Sequence, residues 1–184
     1  MKKVILIIIV IGASWFFRYS LLSPFLKLSQ EKILVNNFME SCANNVPNLQ
    51  KIDLLATSNG GKPLPDDQLA KFKPTHEGSA KGWEMPYGAV LVISTDMISP
   101  QGKTAGCSIS MLNLSSEFAL ALLSKKIHLG ASFQNKEVSP GISARSWYTD
   151  NQGNEMVIGL IVVSSKSFSL NDYAVTLAAA KKIN

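Results

Sequence analysis

The chain has little of the equipment that chemistry on a substrate usually needs. Its 184 residues contain two cysteines, Cys42 and Cys107, and two histidines, His76 and His128. It has no G-x-S-x-G, no P-loop and no G-x-G-x-x-G, and so lacks the signatures of a nucleophile elbow, a phosphate cradle and a dinucleotide turn. The cysteines and histidines also lack the C-x-x-C and H-x-x-x-H spacings that place zinc ligands on one element, so neither a metal nor a cofactor is expected. Acidic residues are missing altogether before Glu31, and that gap accounts for most of the formal net charge of +5. Residues 31–184 carry fourteen basic and thirteen acidic side chains, with no basic block and no aromatic residues interleaved with one. A phosphate backbone is gripped by Lys and Arg clustered on one face, so nucleic acid is not expected as a partner.

The N-terminus has what the rest lacks, a long apolar run. Lys2 and Lys3 precede an uncharged stretch from Val4 to Phe17, and the first charge after it is Arg18. Fourteen helical residues reach only about 21 Å, short of a hydrocarbon core of about 30 Å. With Arg18 snorkelling, the span extends through Leu22 and becomes long enough to cross. A cleavage site wants small residues at its last and third-last positions, and the candidate after Ala13 has Ile11 in the wrong place. The expectation is therefore a membrane anchor over 1–22, with residues 4–22 in the bilayer, a spacer over 23–30 broken by Pro24, and a domain over 31–184. This places the chain in the bacterial inner membrane with its domain in the periplasm. The alternatives are a cleaved signal that leaves a secreted or soluble periplasmic domain, and a helix lying on the membrane.

Within the domain, Leu34, Phe38, Cys42 and Val46 recur every four residues and define the buried stripe of a first helix. Leu49 to Thr57 and DDQLAKF read as two more helices, and SNGGKPLP and KFKPTHEGSAKG read as loops. After Trp83 the period changes to two. GAVLVISTD and TAGCSISML form a hairpin across SPQG, and SSEFALALLSKKIHLG is a helix capped by Ser115 and ended at Gly130. SARSWYT pairs with EMVIGLIVVSS across DNQGN. The nearly continuous apolar run from Met156 to Val163 suits a central strand covered on both faces. Residues 172–182 alternate like an edge strand, although their alanines and lysines also suit a helix. The fold class is α+β, with an antiparallel sheet of four to five strands packed on helices.

Cys107 sits mid-strand and Cys42 on a helix, both on core faces. A catalytic thiol usually gains its reactivity from a helix N-terminus or an adjacent base, and here His76 lies in a polar connection and His128 at a helix end. No catalytic residue is assigned. What remains is a disulfide or two reduced core thiols, and the export signal favours the disulfide. Trp83, Tyr87, Trp147 and Tyr148 are the candidate binding surface, weighed against packing in or beside a strand.

The order of landmarks is Phe38 to Cys42 as F-x-x-x-C, then Gly82–Trp83, an apolar strand, and GCSI ending the next. It resembles a loose group of small exported proteobacterial proteins of uncharacterised function that carry one cysteine pair flanking a Gly-Trp strand. The resemblance covers residues 33 to about 165. It implies export and a disulfide, and brings no activity or catalytic residues with it. The functional expectation is a non-enzymatic binding module, of inhibitor or immunity type, that meets a protein partner in the cell envelope. The alternative is an envelope hydrolase assembled from scattered residues such as His76, Glu84 and Asp96.

Overall fold

A computed structural model of the chain describes residues 30–72, 78–99, 102–139, 141–151, 153–164 and 173–183. The expected membrane segment and the spacer up to residue 29 lie outside the described residues. Among the described residues, no helix is long and apolar enough to cross a membrane.

The first helix, α1, covers residues 30–37 and runs on into a π-helical segment, Phe38–Ala43. Leu34, Phe38, Cys42 and Val46 are all buried, as the four-residue spacing requires. The wider turn loosens the carbonyls at its end, and the Asn45 side-chain amide answers this by donating to the carbonyls of Glu40 and Ser41. Helix α2 (Leu49–Ser58) starts where Asn48 accepts a hydrogen bond from the Lys51 amide, and it buries Ile52 and Ala56. Helix α3 is Asp66–Phe72, with both aspartates in its first turn. Helix α4 is Ser116–Leu123, capped by the Ser115 hydroxyl, which accepts from the Phe118 amide. The buried Glu31 also reaches across from α1, where Oε1 accepts from the Ser115 amide at 2.8 Å.

The strands are β1 (Lys62–Pro63), β2 (Ala80–Glu84), β3 (Val90–Ser99), β4 (Gly102–Leu112), β5 (Ser132–Ser139), β6 (Ile142–Asn151), β7 (Asn154–Ser164) and β8 (Tyr173–Lys182). They form one antiparallel sheet in the order β1-β2-β3-β4-β8-β7-β6-β5. Two meanders, β1 to β4 and β5 to β8, thus meet through their last strands. One face carries α1 over β4 and β8, α2 beside β3 and α4 on β7. Into that layer point Cys107, Ile109 and Met111 of β4, Val175, Leu177 and Ala179 of β8, and Met156, Ile158 and Leu160 of β7, all buried. On the other face β4 and β8 carry Ser108 and Ser110, and Thr176, Ala178 and Ala180, whereas β7 carries Val157, Ile161 and Val163 around Gly159. On this second face Ser110 and Thr176 join their hydroxyls across the strands at 2.7 Å. At its far end α3 packs on β2, where a Cβ on Gly82 would lie 2.7 Å from Leu64 Cδ1 and 3.0 Å from Leu69 Cδ1.

The α+β class and the antiparallel sheet are as the sequence implies, but the sheet has eight strands rather than four or five. The three additional ones, β1, β2 and β5, lie at the sheet's two edges. Strands β1 and β5 are the edge strands, which need little apolar alternation because water satisfies one side of them, and β2 pairs with β1 over only two residues; the sequence reads Lys62–Pro63 and the start of β2 as loops and assigns no element to residues 132–139. The position of β8 also differs, since the segment is a strand but a central one, paired along its length with both β4 and β7. Its alanines fit there because its neighbours crowd it. Ala179 lies opposite the disulfide-bearing Cys107, and Ala178 faces Gly159. The apolar β7 is one place further out, flanked by β8 and β6. Helix α4 stops at Leu123, well before Gly130, and Ser124 takes the C-cap.

Candidate functional site

Cys42 and Cys107 form a disulfide with a Cα–Cα distance of 5.2 Å. The stripe of α1 brings Cys42 over the centre of the sheet, and the alternation of β4 turns Cys107 up to meet it. The bond occupies both thiols, so Cys107 joins the sheet to the first helix.

The four candidate aromatics are dispersed. Trp83 and Trp147 are buried, with 4% and 6% of their surface exposed, and both belong to the core. Tyr87, in the turn between β2 and β3, is half-buried against the same core, with its hydroxyl buried and unpartnered. Its pKa is raised to about 12, first by burial and then by the nearby Glu40 carboxylate. Tyr148 follows Trp147 on β6 and so points to the other face, where it is 50% exposed. There it stacks on Phe133, itself 48% exposed, with ring centroids 4.2 Å apart and an interplanar angle of 24°. The loop before β5 is pinned to this site. The Gly130 amide donates to the Tyr148 carbonyl, and the Thr149 hydroxyl donates to the His128 carbonyl. Sequence reasoning missed Phe133. Its signal was a lone large apolar side chain in an otherwise polar segment, SFQNKEVS, which no core alternation explains.

Of the scattered hydrolase candidates, His76 lies outside the described residues. Glu84 is exposed at one end of the β2–β3 ladder, opposite Val90, and Asp96 falls in the irregularity of β3 between Ser94 and Met97. Six residues of β3 separate Val90 from Asp96, about 20 Å at the rise of a strand, so the backbone does not bring positions 84 and 96 together. Among the described residues, no three of His, Cys, Asp and Glu are grouped closely enough to hold a metal ion.

A cleft of about 160 Å³ opens between α4 and the helix-bearing side of β6 and β7. Ser116, Glu117 and Leu120 line it from the helix, and Ser143, Arg145, Leu160 and Val162 from the strands. The Arg145 guanidinium lies 6.0 Å from the Trp147 ring centroid, at the outer reach of a cation–π contact.

No family model, no curated protein and no solved structure matches the chain. Two places on it have the chemistry of recognition, an exposed aromatic pair on one face of β6 and a charged cleft on the other. The pair offers rigid apolar area with a hydroxyl at its rim, and the cleft offers fixed opposite charges above an apolar floor.

Proposed function

We propose that the chain is a non-enzymatic binding module of the bacterial envelope that engages a protein partner through the Phe133–Tyr148 pair, in the manner of an inhibitor or immunity protein. The observation that carries this reading is the stack itself. Two aromatic rings, each about half exposed, stack across β5 and β6, with Tyr148 in the regular β6–β7 ladder opposite Val157 and Phe133 at the irregularity of the β5–β6 register between Ser132 and Gln134. Rigid aromatic side chains lose little entropy on binding and dominate the energetics of protein interfaces. Stacked together, the two half-exposed rings join their apolar surface at one place on the sheet face, and contiguous apolar surface is what a partner covers.

The compartment reading rests on the disulfide and on the apolar segment at residues 4–22. A buried cystine fits an oxidising space, and a lysine-led apolar run fits export with the segment retained as an anchor in the inner membrane. The resemblance to small exported proteins with one cysteine pair points the same way. A fusion of alkaline phosphatase after Asn184 tests the compartment. Phosphatase activity is expected, and an inactive fusion at normal expression contradicts export. Affinity capture from envelope extract, run in parallel with the wild-type chain and with the Phe133→Ser/Tyr148→Ser double variant, tests the binding. One protein held by the wild type and lost from the variant is expected. An identical set of proteins from both overturns the assignment.

A further inference from the structure

The cleft between α4 and β6–β7 lies on the face of β6 opposite the aromatic pair, so a ligand held there is independent of the partner-binding reading. Arg145 and Glu117 line the same small space. Among the described residues, neither side chain enters an ion pair or a hydrogen bond. Opposite charges that share a cleft without meeting each other are each open to the opposite charge of a ligand. We propose that this cleft binds a small zwitterion, an amino acid with a short side chain, holding its carboxylate at Arg145 and its ammonium at Glu117.

The geometry supplies each part. Arg145 is half-buried beside the ring of the buried Trp147, and its planar fork of donors suits a carboxylate. The hydroxyls of Ser116 and Ser143 stand at the rim, while Leu120, Leu160 and Val162 form an apolar floor. An engineered cavity of about 150 Å³ takes benzene, with its six heavy atoms. Alanine has the same number, and the cleft, open to solvent on one side unlike that cavity, has room for a molecule of at least that size. Charge sets its class. A simple carboxylate would be repelled by Glu117 and a simple amine by Arg145, and only a ligand carrying both charges satisfies the two walls at once.

The test uses the full chain in detergent micelles and follows backbone amide resonances while alanine, propanoate or ethylamine is added. Alanine should give saturable shifts at Ser116 and Ser143, and propanoate and ethylamine should bind at least roughly tenfold more weakly. Glu117→Gln should weaken alanine binding by roughly tenfold or more while tightening propanoate, because the repulsion is removed. Arg145→Gln should abolish alanine binding, and Arg145→Lys, which keeps the charge, should retain part of it even if the cation–π contact is disturbed. Absence of saturable shifts with alanine in the tens of millimolar overturns the proposal. So does propanoate or ethylamine binding as well as alanine, or a Glu117→Gln variant that binds all three as the wild type does.

Discussion

Cys107 stands opposite Ala179 on the neighbouring strand, and the small side chain of Ala179 lies beside the bridge from Cys107 to Cys42. A bulky residue at 179 would contend with the cystine for one place in the core. This pairing puts the only disulfide among the described residues at the junction of the two meanders, where β4 meets β8 under α1.

Removing the bridge should therefore loosen the whole molecule rather than one end of it. The cysteines are 65 positions apart, and closing a loop of that size stabilises the folded state by about 4 kcal/mol in the chain-entropy description. Cys42→Ala/Cys107→Ala should lose about that much in urea unfolding. The wild type with reductant should fall toward the double variant, and the variant itself should be indifferent to reductant. A reduced wild type as stable as the oxidised one would show that the bridge is incidental to stability.

Gly130 holds the loop before β5 against β6. A Cβ there would sit 2.7 Å from the Tyr148 carbonyl oxygen, the atom that accepts the Gly130 amide. Backbone cannot yield as a side-chain tip can, so Gly130→Ala should cost about 1–3 kcal/mol. It should also change the near-ultraviolet circular dichroism of the Phe133–Tyr148 stack. An unaltered unfolding midpoint together with an unaltered spectrum would show that the loop does not hold the site.

Tyr87 sets an alkaline limit on stability. The folded state raises the phenol to about 12, whereas the unfolded chain titrates near 10. Stability from the neutral phenol is thus complete below about pH 10 and is lost as pH rises toward about 12. The tyrosinate absorbance of one residue should titrate late, and Tyr87→Phe should flatten the alkaline fall in unfolding midpoint. Because the buried hydroxyl has no partner, the same variant should be as stable as the wild type near neutral pH, or more so.

The parts that were legible in the sequence are those the core enforces. The stripe through Leu34, Phe38, Cys42 and Val46, the alternation around Cys107, and the hairpins at SPQG and DNQGN leave periodic traces because burial penalises any other register. The sheet edges left none, since Lys62–Pro63 and Ala80–Lys81 bury little and their pairing is carried by backbone groups that every residue has. The place of β8 was hidden for a related reason. Its alanines report crowding by neighbours, and crowding is a property of the assembled sheet. The aromatic pair was half legible. Tyr148 stood out beside Trp147, but Phe133 is distant in sequence and reaches it only because β5 pairs with β6. The charged cleft was not legible at all, because Glu117 and Arg145 come to line one cleft only through the packing of α4 on the sheet.

The most direct measurement of the central claim, that Phe133 and Tyr148 form a partner-binding surface, places a photoreactive phenylalanine analogue at position 133 of the full chain in living cells. The same analogue at Leu54, the more exposed position on α2 at 72%, serves as the comparison. Binding through the aromatic pair predicts one discrete crosslinked protein from position 133 that is absent from position 54 and is lost when Tyr148→Ser is added. Crosslinks that are the same from both positions, or none from position 133 when the domain is folded and exported, would contradict it.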